Sequence, residues 1–205
     1  MIFDRWKQDG REVAVLGLAR SGEAAALLLR DRDVPVYASD AGAGADLEAR
    51  AARVREAGAS VDLGRHDLAR ISRAVAAVVS PGVPPDAAAV ETARSAGVEV
   101  VAEVDVGFAA LGPERLAGIT GTNGKTTTTA LAAHLMQGAG IPTTAVGNIG
   151  KAVAEYARTP GNEAWLAVEL SSFQLHDVHH LLLDVGLLTN LAPDHLDRYA
   201  TLDQY

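Results

Sequence analysis

The stretch GITGTNGKTTTTA, residues 118–130, decides the fold of this 205-residue chain. An apolar run, residues 116–120, leads into a glycine-rich turn, and residues 127–140, rich in Ala and Leu, follow it. Strand, glycine-rich turn and helix in this order are the setting of a phosphate-binding loop. The stretch therefore predicts an α/β unit that binds a nucleotide where the helix begins.

The residue types of the turn suit an ATP molecule with its metal. Gly121 and Gly124 let backbone N–H groups approach phosphate oxygens. Lys125 carries a charge for the terminal phosphates, and the Thr126 hydroxyl is a ligand for Mg²⁺. The usual pattern has glycine where this chain has Ile119, so the loop is a shortened variant, and an ordinary turn with a surface lysine is the alternative. We predict ATP contacts for the whole turn: Gly121, Thr122, Asn123, Gly124, Lys125, Thr126 and Thr127.

Two further residues are candidate metal ligands. Glu169 interrupts an apolar run, residues 164–172, near the end of a predicted strand, where ligands bind in parallel sheets. A buried carboxylate there is costly unless a metal, or a structural Arg or Lys, accompanies it. His195 follows the last predicted strand, between Asp194 and Asp197. It is a candidate ligand, with a surface histidine as an equal alternative.

Two weaker signals lie nearby. His176 and His180 in HDVHH lie one helical turn apart if this segment is helical, which suits a metal but is more typical of a solvated helix face. Asn148 in GNIG could donate a hydrogen bond to a phosphate or a carboxylate.

A second glycine-rich turn, GLARSG at residues 17–22, lies far upstream. It resembles the dinucleotide pattern G-x-G-x-x-G, but Ala19 replaces the middle glycine, and its Cβ would crowd a pyrophosphate, which disfavours NAD. Asp40 follows about 20 residues on, where an acidic residue usually binds a ribose. We predict a site for a nucleoside diphosphate, with a Rossmann-like fold and an empty turn as the alternative.

The order of elements predicts two domains. In residues 1–103, strands at 12–18, 34–40 and 74–80 alternate with helices, including one with Ser21 near its cap and one capped by Asp86. This predicts an α/β, Rossmann-like parallel sheet domain. Residues 104–205 restart the pattern as a P-loop-type ATPase α/β domain, with Leu131 and Leu135 on one face of its first helix. Few strands follow Thr120, so we expect this second domain to be truncated.

Composition excludes several classes. The net charge is −8, which argues against a nucleic-acid partner. The chain has no cysteine, so disulfides and thiolate-bound metals are excluded. We find no apolar run of about 18 residues and no signal-peptide pattern, and therefore expect a cytoplasmic protein without a membrane partner.

Together the motifs resemble the Mur ligase family over residues 13–205. The segments TGTNGKTT, GNIG, ELSSFQL and LTNLAPDHLDRY are similar to its central ATPase domain, in order and spacing. GLARSG, YASD and SPGVP are similar to the N-terminal part of the branch that joins D-glutamate to UDP-N-acetylmuramoyl-L-alanine. Three alternatives remain: an NAD-dependent dehydrogenase, a nucleotide-binding module without activity, and a folate-polyglutamate ligase, whose first domain lacks such a turn.

The resemblance implies roles for individual residues. Lys125 would hold the ATP phosphates, Thr126 and Glu169 would bind one Mg²⁺, and His195 would serve a second. Asn148 would contact the substrate, which makes Lys125, Asn148, Glu169 and His195 the expected catalytic set. The diphosphate would contact residues 18–21, and the uridine would contact Asp40 and Gly82. The full UDP-substrate set is therefore Leu18, Ala19, Arg20, Ser21, Asp40 and Gly82.

The resemblance also implies a reaction and its partners. The substrate carboxylate of UDP-N-acetylmuramoyl-L-alanine attacks the γ-phosphate of ATP, and D-glutamate then attacks the acyl phosphate, in peptidoglycan synthesis. The family's carbamylated lysine and its D-glutamate-binding domain would lie beyond residue 205. We therefore expect this chain, a monomer, not to complete the ligation alone.

Overall fold

The first half of the molecule is built on a five-stranded sheet. The structure, a computed structural model, describes residues 2–196 together with 198, 199, 201 and 203. The strand order is β3-β2-β1-β4-β5, and every pairing is parallel, which confirms the predicted α/β fold class. The strands are β1 (Val13–Leu16), β2 (Val36–Asp40), β3 (Ser60–Leu63), β4 (Ala76–Val79) and β5 (Glu99–Ala102).

Helices connect these strands, and some of them were not predicted. They are α1 (Ile2–Asp9), α2 (Arg20–Asp31), α3 (Ala45–Glu56), α4 (Leu68–Ile71) and α5 (Ala88–Ser95). The sequence pattern did not indicate α1, β3 or α4, because α1 is mostly polar and the other two are only four residues long.

One predicted helix cap is wrong, because Asp86 does not cap α5. Helix α2 begins after Ala19, whose extended backbone serves as the cap without a side-chain hydrogen bond, and Ser21 lies near this cap, in the first turn, as predicted. Helix α5 is capped in the same way by Ala87 rather than by Asp86. A side-chain cap is present on α4, where the Asp67 carboxylate accepts the Arg70 N–H at 3.0 Å.

A buried helix joins the two halves. The segment predicted as a domain boundary forms α6 (Glu103–Phe108), and all six of its residues are buried. It packs against α8 (Val153–Arg158), and a Cβ on Gly107 would lie 2.7 Å from the Ala154 nitrogen, so only glycine allows this approach. The division of the chain at residues 103 and 104 stays a prediction.

The second half contains a four-stranded parallel sheet in the order β7-β8-β6-β9. Its register places Glu169 opposite Ile119 and Gly147, so three strands end at one edge. The elements are β6 (Arg115–Thr120), α7 (Lys125–Gly138), β7 (Thr143–Gly147), β8 (Trp165–Glu169), α9 (Ser172–Leu175) and β9 (Val185–Leu188).

The second half also exposes apolar side chains. Leu131 and Leu135 lie on α7 as predicted, but both are more than half exposed, and this helix buries Thr129 and Ala133 instead. All four residues of β9 are exposed as well. None of the helices in the described part of the chain is long and apolar enough to span a membrane.

Candidate functional site

The glycine-rich loop lies between β6 and α7, in the predicted order of strand, turn and helix. Gly121 and Gly124 have φ angles of 130° and 81°, which side-chain-bearing residues rarely adopt. A Cβ on Gly121 would overlap the Thr189 hydroxyl, so glycine is required there for packing as well. The loop therefore has the backbone that a phosphate site needs, and the ATP contacts of its residues stay a prediction.

The side chain of the loop lysine contacts the backbone of the loop. The Lys125 ammonium donates to the carbonyls of Gly121 at 2.7 Å and Thr122 at 2.9 Å. Thr126 and Thr127 are exposed in the first turn of α7. A positive charge and the N-terminus of a 14-residue helix thus meet at one point, which favours an anion.

A segment after β9 holds the loop in place. The Thr122 N–H donates to the Asn190 carbonyl at 3.0 Å, and the Asn123 N–H donates to the Asn190 side-chain oxygen at 3.1 Å. The Thr189 hydroxyl donates to the Asn123 carbonyl at 2.8 Å. The sequence pattern did not predict the contact of this segment with the loop, since 66 residues separate Thr189 from Asn123.

Glu169 and Asn148 lie together beside the loop. Glu169 ends β8 and is 1% exposed; its Oε1 accepts from the Asn148 amide at 2.9 Å, whereas Oε2 is buried without a partner in the described residues. Gly147, with φ 102°, permits the Asn148 N–H to reach the Glu169 carbonyl at 3.0 Å. Within the described part of the chain, no Arg or Lys forms an ion pair with Glu169, so the alternative of a structural ion pair is not observed there.

The orphaned carboxylate oxygen fits a hard cation, because Mg²⁺ prefers oxygen ligands and would remove the cost of the buried charge. Over residues 2–196, 198, 199, 201 and 203, no group of three or more His, Asp or Glu side chains is arranged to hold a metal ion. The protein side chains thus offer a partial set of ligands, as is usual for a Mg²⁺ ion that also binds phosphates.

Neighbouring residues hold the backbone and the ring of His195 in place. Its backbone has φ 51°, its N–H donates to the Asp194 carboxylate at 2.8 Å, and its ring centroid lies 4.6 Å from that of Phe173. Asp197, the other predicted flanking carboxylate, lies outside the described residues.

The helical interpretation of HDVHH is wrong. Helix α9 ends at Leu175, and residues 176–180 form turns and coil, so His176 and His180 do not share a helix face. The N–H groups of His179 and His180 instead donate to the buried Asp105 carboxylate, at 2.7 and 3.2 Å. This segment fastens the second half of the chain to α6.

A cavity of about 430 Å³ opens at the upstream glycine turn. It lies where β1, β2 and β4 end, and four of the six predicted UDP-site residues line it: Ala19, Ser21, Asp40 and Gly82. Leu18 is fully buried, and its N–H donates to the Asp40 carboxylate at 2.7 Å. Arg20 is exposed and is not part of the lining.

Glycine is required at two places in this turn. Gly17 has φ 89°, and a Cβ on Gly22 would overlap the Gly17 carbonyl oxygen. The second contact is the close approach of helix to strand that the last glycine of such a pattern provides. The structure therefore confirms the Rossmann-like turn, and its ligand stays a prediction.

His66 also lines this cavity and was missed from the sequence. Its Nδ1 forms a hydrogen bond with the Ser39 hydroxyl at 2.8 Å. Burial lowers the pKa of this imidazole, and Asp40 opposes that shift in part, so His66 favours the neutral form at pH 7. The signal was hard to find because His66 follows β3, the strand that the sequence pattern did not indicate.

A second cavity, of about 460 Å³, adjoins the first and shares Pro81, Gly82 and Pro84 with it. On its other side lie Phe173 and Arg198. The Arg198 guanidinium donates to the Pro81 carbonyl at 2.7 Å and lies 4.1 Å from the Phe173 ring centroid. The second cavity therefore extends from the upstream turn to Phe173, whose ring centroid lies 4.6 Å from that of His195.

Comparison with protein families matches both halves of the chain. A family description of the Mur ligase MurD-like N-terminal domain matches residues 11–102, and one of the Mur ligase middle domain matches residues 119–205. The first match includes the five-stranded sheet and the upstream glycine turn, and the second includes most of the four-stranded sheet and the glycine-rich loop.

Curated proteins give the same result. The chain is 38% identical over 196 residues to the UDP-N-acetylmuramoylalanine–D-glutamate ligase of Desulfatibacillum aliphaticivorans, and 41% identical over 196 residues to that of Myxococcus xanthus. Each alignment covers 96% of this chain and 43% of the relative, so the chain spans less than half the length of these proteins.

Solved structures share the fold at low identity. A UDP-N-acetylmuramate:L-alanyl-γ-D-glutamyl-meso-diaminopimelate ligase from Neisseria meningitides has a TM-score of 0.57 at 18% identity, covering 94% of this chain and 64% of that one. The UDP-N-acetylmuramate-alanine ligase MurC from Thermotoga maritima has a TM-score of 0.55 at 22% identity, covering 95% and 45%. From the matches to both halves and the shared fold, we conclude that this chain belongs to the Mur ligase family.

Proposed function

We propose that this chain binds UDP-N-acetylmuramoyl-L-alanine and ATP for a ligase that adds D-glutamate in peptidoglycan synthesis. The observation that carries the proposal is the Glu169 carboxylate, which is buried with one oxygen unpartnered beside the loop that bears Lys125. Such a carboxylate is retained where a cation compensates it. The names of the curated relatives support the choice of substrate and of D-glutamate.

The loop residues would bind the ATP phosphates. We propose that Lys125 exchanges the carbonyls of Gly121 and Thr122 for phosphate oxygens, while the N-terminus of α7 supplies further positive potential. This charge lowers the repulsion between the substrate carboxylate and the γ-phosphate, which are both anions. Residues 189–190 keep the loop in the conformation that this binding needs.

Thr126 and Glu169 would hold one Mg²⁺, and His195 would serve a second. When bound, Mg²⁺ neutralises phosphate charge and orients the phosphates. The Asn148 amide fixes the Glu169 carboxylate through Oε1 and leaves Oε2 available. We propose that Asn148 also contacts the substrate during the reaction, and that the Phe173 ring fixes the His195 imidazole.

The proposed chemistry has two steps. A carboxylate oxygen of the L-alanyl group attacks the γ-phosphorus, the bond to the β–γ bridging oxygen breaks, and ADP leaves. The amine of D-glutamate then attacks the acyl carbon, inorganic phosphate leaves, and the amine loses its proton as the amide forms. Holding the carboxylate in line with the γ-phosphate is the part that this chain would perform.

The upstream cavity would anchor the UDP group. Ser21, Ala19 and the N–H groups at the start of α2 would face the diphosphate. Asp40 already accepts from the N–H groups of Leu18 and Gly42, so it stands at a fixed place for the uridine. Gly82 would lie against the uracil, with open space where its side chain would be.

The domain boundary, the localisation, the oligomeric state and the residues needed for turnover are also proposals. We divide the chain into a UDP-binding domain, residues 1–103, and an ATPase domain, residues 104–205. We expect a cytoplasmic monomer, since ATP and the UDP-linked substrate are cytoplasmic. Because the chain spans 43% of the relatives' length, we expect D-glutamate binding and turnover to require residues outside it.

Ligand binding by calorimetry tests the proposal. We expect UDP-N-acetylglucosamine and ATP with Mg²⁺ to bind the chain independently, each at one site. Asp40→Ala should weaken only the first and Lys125→Ala only the second, so each variant is the matched control for the other. Binding of NADH with no binding of the UDP-sugar would refute the proposal in favour of a dehydrogenase.

A further inference from the structure

His66 lines the upstream cavity, and the proposed function leaves it without a role. It follows β3, and the register of β3 on β2 places Leu63 opposite Asp40, so His66 lies at the same end of the sheet as Asp40. Its imidazole is half-buried and shares the cavity with Asp40 and Gly82. These two residues are the proposed contacts of the uridine, so His66 lies at the nucleoside end of the site.

Four polar side chains line the upstream cavity, and three of them are not suited to donate to a nucleobase. The Ser80 hydroxyl already donates to the Gly17 carbonyl at 2.9 Å. The ionised Asp40 carboxylate only accepts hydrogen bonds. Ser21 lies in the first turn of α2, at the proposed position of the diphosphate. Among the lining residues that the structure describes, His66 is the side chain left to donate to the base.

The Ser39 hydroxyl fixes the tautomer of His66. Ser39 is fully buried, and its hydroxyl forms one hydrogen bond in the described structure, to His66 Nδ1 at 2.8 Å. If the hydroxyl accepted this bond, its own hydrogen would be buried without an acceptor, which costs more than an unused lone pair. The hydroxyl therefore donates to Nδ1, and the ring hydrogen lies on Nε2. No hydrogen bond to Nε2 is formed within the described residues.

We propose that His66 determines the specificity of the site for uracil by donating its Nε2–H to the O4 carbonyl of the base. Uracil has an acceptor at position 4, where cytosine has an amino group, which is a donor. Gly82 has open space where its side chain would be, so the face of the base can lie against Gly82 while its edge meets His66. This inference rests on the proposed UDP site.

The buried Ser39 hydroxyl makes this hydrogen bond selective. With cytosine, two donors would face each other, the Nε2–H and the amino group. To accept from cytosine, His66 would have to carry its hydrogen on Nδ1, and the Ser39 hydrogen would then lose its acceptor. One lost hydrogen bond with a buried group left unsatisfied corresponds to about tenfold in affinity.

The test is titration calorimetry of the 205-residue chain with UDP and with cytidine diphosphate (CDP) at pH 8. The two ligands share the ribose and the diphosphate, and at this pH both bases are neutral. Burial lowers the pKa of His66, so its ring is neutral as well. We expect UDP to bind about tenfold more tightly than CDP.

Two variants assign this preference to the pair of His66 and Ser39. His66→Asn keeps an amide oxygen in the place of Nδ1 for Ser39 but has no atom in the place of Nε2. We expect its affinity for UDP to fall about tenfold, to the affinity for CDP. Ser39→Ala removes the constraint on the tautomer, so its affinity for CDP should rise toward that for UDP. The control His134→Asn, at an exposed position of α7, should keep the tenfold preference.

The results separate the role of His66 from the UDP site itself. Equal binding of UDP and CDP by the unmodified chain, or a preference that persists in His66→Asn, would overturn the role of His66 and leave the UDP site standing. Binding of neither nucleotide would overturn both.

Nitrogen NMR of the imidazoles in the unmodified chain decides the question should His66→Asn fail to fold. We expect a protonated Nε2 at His66, whose hydrogen moves downfield when UDP binds but not when CDP binds. A hydrogen on Nδ1 instead, or the same change with both nucleotides, would overturn the proposal.

Discussion

Replacing Glu169 by glutamine should make the metal-free chain more stable and its proposed ATP site inactive. The carboxylate is buried, with one oxygen bonded to Asn148 and the other without a partner in the described structure. An unpaired buried charge costs far more than a neutral amide of the same shape. Because glutamine keeps the oxygen that Asn148 needs, we expect a gain of about 1–2 kcal/mol in the free energy of unfolding.

Differential scanning calorimetry measures both effects. A gain of this size corresponds to an increase of roughly 2–8 °C in Tm for a chain of this length. ATP with Mg²⁺ at 100 times its Kd should stabilise the unmodified chain by about 2.7 kcal/mol. Glu169→Gln should lose most of that stabilisation, since the amide nitrogen cannot be a metal ligand.

The matched control is a glutamate whose charge is paired. Glu12 is half-buried and forms two hydrogen bonds with the Arg70 guanidinium, at 2.6 and 2.5 Å. Glu12→Gln should lower the stability by up to about 1 kcal/mol and leave the response to ATP unchanged. A lower Tm for Glu169→Gln than for the unmodified chain, without Mg²⁺ or nucleotide, would refute the reasoning.

Gly22→Ala should destabilise the chain by about 3 kcal/mol or more in urea unfolding, because the added Cβ would overlap the Gly17 carbonyl. Gly82 faces open space, so Gly82→Ala should change the free energy of unfolding by less than about 1 kcal/mol. Lys125→Ala should lower the rate of ADP release about 10²–10³-fold in a longer protein that completes the ligation, and an equal rate would count against its role. The chain should be more stable at pH 6 than at pH 8 by about 1 kcal/mol. Burial raises the pKa of Glu103 above its ordinary 4.5 to about 7, so the ionisation of this carboxyl at higher pH opposes folding. Glu103→Gln should remove this difference in thermal unfolding.

Local sequence was enough to predict both turns. The conformations of residues 17–22 and 118–130 depend on glycines and on the apolar runs beside them, which are short-range properties. The placement of Glu169 at a strand end was predicted for the same reason. The short elements β3 and α4 were missed, because four residues carry too little pattern.

Helix caps and the HDVHH segment show where local rules fail. Asp86 has the right residue type for a cap, yet the chain turns at Ala87, and HDVHH has helical spacing, yet its backbone turns to donate to Asp105. In both cases the conformation is decided by packing and by the need of buried polar groups for partners.

The order of residues along the chain was enough to predict the fold class, the two phosphate-type turns and the family. Which distant residues complete these sites depends on tertiary packing: Asn148 donates to Glu169, residues 189–190 hold the ATPase loop, and Gln174 donates to the buried Glu103. The difference arises from the distance along the chain over which each property is decided. Turn geometry is set within a few residues, whereas the environment of a buried charge depends on every element packed around it.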